Sequence, residues 1–170
     1  MLHRVNLARP LPAERNRPDM IHKRYDYASW FMRHAEVSHC VFSDECGYNI
    51  WTARNQGRAR IGDKAYRQVC GQRGRNVTVA LAISPTNGLV FHSAIIGGMN
   101  TQRFSDVLAQ KRLNLDPDEN IIFIYDGPPA HHSPADPGQN TELKKLPPYS
   151  PFLNIVEQSI SVFIPPIIAE

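Results

Sequence analysis

Three acidic residues stand where predicted elements begin or end. Asp44 follows a β-branched and aromatic run, Asp126 follows the uncharged run IIFIY, and Glu157 comes three residues after Asn154. Carboxylate oxygens are preferred ligands of Mg²⁺, which also binds water and substrate phosphate oxygens. Two such ions about 4 Å apart can activate a water or a 3′-hydroxyl and stabilise the leaving oxygen of a phosphodiester. Convergence of the three carboxylates would therefore create a metal-dependent phosphodiester site.

Each carboxylate also has a purely structural interpretation. Asp44 fits a solvent-facing strand end, and Asp126, before Gly-Pro-Pro, fits a turn former. The spacing Asn154-x-x-Glu157 matches a capping box, in which a glutamate satisfies the start of a helix. The chemistry therefore depends on the elements that position these side chains.

The hydrophobic pattern predicts an α/β fold, with a mixed sheet flanked by helices. Alternating apolar residues on both sides of the turn Pro85–Gly88 predict a hairpin, and IIFIY predicts a strand buried on both faces. The other predicted elements are a strand over 37–49, a helix capped by Asn100 or Thr101, a short strand over 141–146 and a last helix from Asn154. Three strands, a helix, two strands and a helix fit a ribonuclease-H-like architecture, although this order alone leaves other α/β folds open.

The N-terminal part is predicted to contain an arm and a helix. Pro10, Pro12 and Pro18 interrupt residues 1–20, which we interpret as an extended arm or linker. Residues 21–170 are predicted to form one core domain, which carries the three acids. Its first helix is predicted from apolar residues at helical spacing, which we expect to pack on the edge of the core: Ile21, Tyr25, Ala28, Met32 and Ala35.

Composition narrows the class of protein. The chain has 170 residues, of which 42% are apolar and 21% charged, as in one globular domain. We expect neither a signal peptide nor a membrane span, and Cys40, Cys46 and Cys70 lack the spacing of a disulfide framework or a structural zinc site. No GxxxxGK[ST] or GxSxG motif is present, which argues against P-loop hydrolysis and serine-dependent acyl transfer.

Positive charge is concentrated in one segment, residues 51–76. It contains a single acid, Asp63, and seven basic residues: Arg54, Arg58, Arg60, Lys64, Arg67, Arg73 and Arg75. From Val77 onward acidic residues outnumber basic ones. A basic segment joined to an acidic body suits a nucleic-acid partner beside a cation site, although a solvated arginine-rich loop would look the same by charge alone.

Around the three acids the sequence resembles a known family. FSDECGYN around Asp44, YDGPPAH around Asp126 and LPPYSPFLNIVEQ around Glu157 are similar, in this order, to the acidic motifs of mariner-like DDE transposases. The resemblance covers about residues 25–160, and LPPYSPxLN is its most specific part. It implies a ribonuclease-H-like fold, paired Mg²⁺ or Mn²⁺, and cleavage and joining of DNA, with Asp44, Asp126 and Glu157 as metal ligands.

Several positions qualify the resemblance. His131 matches a histidine of the second motif, which implies contact with substrate or with a ligand carboxylate; an ordinary loop histidine is the alternative. Gly127 stands where the family usually has asparagine, so a side chain that could orient a ligand is missing. The short, proline-broken segment before Asp44 leads us to expect no sequence-specific targeting module, and Pro165-Pro166 predict a truncated last helix with weakened catalysis.

We therefore predict a transposon-derived DNA endonuclease and strand-transferase core, either a fragment or a decayed copy. The alternatives are a non-catalytic nucleic-acid-binding or interaction module that keeps the fold, and a ribonuclease-H-like nuclease acting on RNA or a hybrid. DNA is the expected partner, membranes are not, and the oligomeric state, a homo-oligomer included, stays open. The expected location is the nucleus in a eukaryote and the cytoplasm otherwise, without secretion.

Overall fold

The computed structural model describes residues 12–49, 58–66, 76–127 and 134–160. Within these ranges one sheet has the strand order β3-β2-β1-β4-β5. Its strands are β1 (Cys40–Asn49), β2 (Asn76–Ser84), β3 (Gly88–Ile96), β4 (Ile121–Tyr125) and β5 (Thr141–Lys145). β2 pairs antiparallel with β1 and with β3, whereas β4 pairs parallel with β1 and with β5. The helices are α1 (Pro18–His34), α2 (Thr101–Leu113) and α3, residues 155–160.

The core lies on both faces of the sheet, because side chains alternate along each strand. In β4, Ile122 and Ile124 face a cluster that includes α1 and α3, whereas Ile121, Phe123 and Tyr125 face a cluster that includes α2. All five are buried, as predicted for this uncharged strand. The predicted mixed sheet flanked by helices is confirmed.

Local sequence accounts for the β2–β3 hairpin. Gly88 has a φ of +71°, a conformation that glycine adopts without steric cost, and it begins β3 directly after the turn. The predicted hairpin and its turn at Pro85–Gly88 are therefore confirmed.

The predicted cap of α2 is also confirmed. The Asn100 side chain accepts a hydrogen bond from the Arg103 backbone N–H at 2.9 Å. This bond satisfies one of the N–H groups that a helix start leaves without a partner inside the helix.

The predicted α1 differs from the structure in its start and its packed face. α1 begins at Pro18, because proline is tolerated in the first helical turn, and a short 3₁₀ helix (Ala13–Asn16) precedes it where we expected extended chain. Tyr27 is buried, and Trp30 and Phe31 pack on its cluster. The stripe chosen from the sequence is on the outside, with Ile21, Tyr25 and Met32 exposed. Two apolar sets share helical spacing, and the aromatic one buries more area.

Smaller differences concern element ends. Residues Val37–His39 form a 3₁₀ turn, so β1 starts at Cys40 rather than at 37, and β5 ends at Lys145 rather than at 146. In the described part of the chain no helix combines the length and apolar character needed to cross a membrane.

Candidate active site

Parallel pairing of β1 with β4 brings two of the predicted site residues together. Ser43 is aligned with Tyr125 in the last pair that β1 forms with β4, so Asp44 and Asp126 are neighbours across the two strands. Asp126 directly follows β4 as predicted, whereas Asp44 lies in the middle of β1, which continues to Asn49, and not at a strand end. Carboxylate oxygens of Asp44, Glu45 and Asp126 all lie within 4.8 Å of one another. Asp44 is buried, with 6% of its surface exposed, and Asp126 and Glu45 are half-buried.

Both oxygens of Asp44 accept hydrogen bonds. The Glu45 backbone N–H donates to Oδ1 at 2.8 Å, and the Asn154 side-chain amide donates to Oδ2 at 2.9 Å. These two donors fix the direction in which the carboxylate points. An oriented buried carboxylate suits metal ligation better than it suits a solvent-facing strand end.

Asn154 connects this carboxylate to the start of α3. Its Oδ1 accepts from the Val156 backbone N–H at 3.2 Å, so one side chain caps the helix and holds Asp44. The Asn154 backbone N–H donates to Pro151 O at 3.0 Å. In a capping box the glutamate would accept a hydrogen bond from this same Asn154 N–H, which is already bonded to Pro151. The capping-box interpretation therefore does not account for a glutamate at position 157.

Glu157 lies at the same cavity but more openly. It is exposed, and it lines the cavity together with Asp126 and Asn154. Its negative charge contributes to raising the pKa of Asp44. Among the described residues the closely grouped acids are Asp44, Glu45 and Asp126, so the structure brings Asp44 and Asp126 together and leaves Glu157 outside this group.

Burial and neighbouring acids make the charged form of Asp44 costly. Burial raises its pKa to about 7, with Asp126, Glu157 and Glu45 adding to the rise and the Glu45 backbone N–H opposing it. A carboxyl group in such an environment exchanges its proton for a cation near neutral pH.

The raised pKa predicts how metal-free stability depends on pH. Between about pH 4 and about pH 7 the folded protein retains a proton on Asp44 that the unfolded chain releases, so the free energy of unfolding should fall as pH rises through this window. The whole contribution of this group is at most about 4 kcal/mol. Thermal unfolding in EDTA at pH 5 and pH 8 measures it, and Asp44→Asn should show a smaller difference between the two. Equal pH dependence in both proteins would contradict the prediction.

The cavity above the acids is about 460 Å³ in volume and open to solvent. Its described lining consists of Asp126, Gly127, the segment 145–151, Asn154 and Glu157. In that segment, three prolines restrict the backbone: Pro147, Pro148 and Pro151. The cavity therefore gives access from solvent to the carboxylates of Asp126 and Glu157.

A buried lysine behind β1 was not predicted from the sequence. Lys111 of α2 is 1% exposed, and its ammonium donates to Ser43 Oγ and to Leu81 O, the latter at 3.4 Å. Burial lowers its pKa to about 8, while the charges of Glu45 and then Asp44 act in the other direction. The signal was present, because Lys111 continues the apolar stripe of Phe104, Val107 and Leu108.

The predicted nucleic-acid-binding residues divide into two groups. Arg58, Arg60 and Lys64 are described and exposed. Five others lie outside the described residues: Arg54, Arg67, Arg73, Arg75 and His131. The truncation predicted at Pro165-Pro166 falls outside them as well.

The donor set fits a hard divalent cation. Mg²⁺ binds oxygen at about 2.1 Å, so ligands on opposite sides of one ion are separated by about 4.2 Å. The oxygens of Asp44, Glu45 and Asp126, which lie within 4.8 Å of one another, are close to this separation. Asp44 and Asp126 could hold such an ion, and Glu157 lines the cavity next to Asp126.

Solved structures of Mos1 transposase share this fold. The Mos1 strand transfer complex is 18% identical with a TM-score of 0.69, and the match covers 99% of this chain and 53% of that chain. The Mos1 mariner paired-end complex with Mg is 19% identical, with a TM-score of 0.67 and coverage of 95% and 53%. For the isolated catalytic domain of Mos1 mariner transposase the identity is 16% and the TM-score 0.60, with coverage of 100% and 76%. The predicted ribonuclease-H-like fold is confirmed.

The chain spans about half the length of the transposase chains in the two Mos1 complexes. Among curated proteins, no sequence matches it. A family model described as "DDE superfamily endonuclease" matches residues 39–168, well over half of the chain. The match includes Asp44, Asp126, Asn154 and Glu157, and the chain therefore belongs to the DDE superfamily of endonucleases.

Proposed function

We propose that this chain is the catalytic core of a transposon-derived DNA endonuclease and strand-transferase. Asp44, Asp126 and Glu157 are its metal ligands, and Mg²⁺ or Mn²⁺ is its cofactor. One observation carries the proposal: two carboxylates emerge side by side from parallel strands, and Asn154 ties one of them to the helix that bears the third. The Mos1 structures with Mg, with Mn and with a transposon end support the choice of metal and substrate.

Each residue has a distinct part in this mechanism. Asp44, held at both oxygens, would bind a metal ion in a fixed orientation, and Asp126 would bind it from the neighbouring strand. Glu157, which lines the same cavity as Asp126, would be the third ligand. When bound, the ions activate water or a 3′-hydroxyl and stabilise the leaving oxygen. The chain itself supplies orientation, and Lys111 offsets part of the acidic charge from behind the sheet.

A nicking assay on supercoiled DNA tests the proposal. The chain should nick DNA with Mg²⁺ or Mn²⁺ and be inactive in EDTA, with calcium as a control that supports binding without efficient catalysis. DNA binding in the absence of any metal-dependent nicking would instead support the non-catalytic nucleic-acid-binding module. Preferential cleavage of RNA or a hybrid would support the third alternative.

We further propose that the basic segment, residues 51–76, contacts DNA phosphates without strong sequence preference. Its described part supports this, since Arg58, Arg60 and Lys64 are all exposed. His131 is proposed to contact the substrate or a ligand carboxylate. A DNA substrate would place the chain with the genome, in the nucleus of a eukaryote, and pairing of transposon ends would favour a homo-oligomer.

The basic segment makes a quantitative prediction about salt. Removing one cationic side chain that binds a phosphate should reduce the slope of log affinity against log salt by about 0.9. Replacing Arg58 and Arg60 with alanine should therefore weaken binding and flatten the slope by about 2, and adding Arg54→Ala should extend both effects. Fluorescence anisotropy at several salt concentrations measures this.

Arg17 and Arg33, exposed residues of the α1 region, provide a charge-matched control. Alanine at both should leave the slope near the wild-type value. If the two double variants behaved alike, the segment would be a solvated loop.

A further inference from the structure

Gly127 and Lys145 share one space beside Asp126. A Cβ atom at Gly127 would overlap the Lys145 side chain at Cε and lie 3.0 Å from its ammonium nitrogen. The lysine stem thus occupies the volume in which a side chain at position 127 would begin. This arrangement depends on glycine being the residue that follows Asp126.

The backbone on the lysine side is anchored. Lys145 is aligned with Tyr125 in the parallel pairing of β4 with β5, and the Leu146 backbone N–H donates to Tyr125 O at 2.7 Å. The residue therefore sits at the strand end adjacent to Asp126. Its neighbour Lys144 is engaged elsewhere, with its ammonium 3.9 Å from the centroid of the Trp30 ring.

Lys145 also differs in charge from its surroundings. Among the described residues that line the cavity, it carries the only positive charge, and that lining also contains the acids Asp126 and Glu157. Ion pairs within 4.0 Å in the described part of the chain do not include it. A lysine ammonium is a mobile point charge that binds phosphate oxygens. Beside a metal site that receives a phosphodiester, such a group is placed to contact the substrate.

We propose that Lys145 contacts a DNA phosphate at the mouth of the acidic cavity, and that Gly127 is required because it leaves room for the lysine stem. The inference rests on the proposed function for the identity of the substrate. It adds a substrate-binding residue outside the three acidic motifs. It also gives Gly127, the departure from the family pattern, a positive role.

DNA binding in calcium tests Lys145 without relying on cleavage. Lys145→Met should weaken binding of a labelled duplex several-fold and lower the salt slope by about 0.9, the value for one phosphate contact. Lys145→Arg should restore most of both quantities. Lys144→Met is the matched control: it removes the same charge one residue away, and it should leave the slope unchanged.

Gly127→Ala tests the shared space with a single methyl group. The atoms it meets are the end of a flexible side chain, so the protein should fold with the lysine tip displaced. Its binding loss should equal that of Lys145→Met, and the double variant should lose no more than either single variant, because both changes remove one contact. Thermal unfolding confirms that each variant is folded.

The outcomes separate this inference from the proposed function. An unchanged slope in Lys145→Met, or an equal loss in Lys144→Met, overturns the phosphate contact. Tighter Mn²⁺ binding by Lys145→Met with unchanged DNA binding would overturn it too, because the lysine would then only occupy the metal site. Failure of the wild-type chain to bind Mn²⁺ or to nick DNA would count against the catalytic proposal, while the slope would still report on Lys145.

Discussion

Replacing Asp44 or Asp126 with asparagine is expected to abolish metal-dependent nicking while leaving the chain folded and able to bind DNA. Each carboxylate is proposed to hold a cation that provides several kcal/mol of transition-state stabilisation. Loss of that contribution corresponds to about a thousandfold in rate. Initial rates of nicking in Mg²⁺ and in Mn²⁺ measure the effect, and calorimetry with Mn²⁺ measures the accompanying loss of affinity.

Although Asp44→Asn should lose activity, its thermal stability at high pH should increase. Asp44 ionises at a cost in the folded protein, so Asp44→Asn should unfold at a higher temperature than wild type at pH 8 in EDTA. A variant that is inactive because it is misfolded would unfold at a lower temperature. Nicking within tenfold of wild type in either asparagine variant would exclude the carboxylates as essential ligands.

The identity of the third metal ligand can be tested by comparing two variants, Glu157→Gln and Glu45→Gln. Glu45 belongs to the closely grouped acids, but it neighbours Asp44 along a strand, where side chains alternate between faces, and its charge is the main one acting on buried Lys111. Glu157 faces the cavity. Glu157→Gln should therefore reduce nicking about as much as Asp44→Asn, whereas Glu45→Gln should reduce it far less. The reverse order would move the ligand assignment to Glu45.

The sequence was sufficient to predict the sheet because its strong signals are local. The uncharged run of β4, the turn before Gly88 and the Asn100 cap each depend on a few adjacent residues, and the structure confirms all three. Asp126 was placed correctly at a strand end for the same reason, whereas Asp44 lies inside β1, because pairing with β2 extends that strand to Asn49. Their proximity, however, follows from the parallel pairing of β1 with β4, a long-range contact that periodicity does not encode.

The packed face of α1 shows where local reasoning fails. Two apolar stripes have helical spacing, and only tertiary packing decides that Tyr27 is buried and Tyr25 exposed. The role of Lys111 was hidden similarly, since a lysine at an apolar position is usually read as solvent-facing. The hydrogen bonds of its ammonium group are accepted by Ser43 of β1 and Leu81 of β2, which are distant from α2 in the sequence. From the sequence, Gly127 was interpreted as the loss of an orienting asparagine side chain, because the position of Lys145 beside it could not be derived from the sequence.

Asn154 should prove nearly as important for cleavage as the acids, although it binds no metal in the proposed mechanism. It is 1% exposed, and its amide group bonds both to Asp44 and to the Val156 backbone. Loss of a residue that orients a metal ligand typically costs about 10- to 100-fold in affinity or activity. Misplacement of a reacting group by about 1 Å has a similar effect.

Two substitutions separate the roles of Asn154. Asn154→Ala removes both hydrogen bonds, so it should lower nicking by about 10- to 100-fold and the free energy of unfolding by about 1 kcal/mol, the usual value of an N-cap. Asn154→Ser keeps a capping oxygen but is too short to reach Asp44. It should therefore recover most of the stability while remaining as poor in nicking as the alanine variant. Chemical denaturation and initial nicking rates in Mg²⁺ measure the two quantities, and recovery of both by serine would show that Asn154 acts only through the helix cap, with Asp44 oriented by the Glu45 backbone alone.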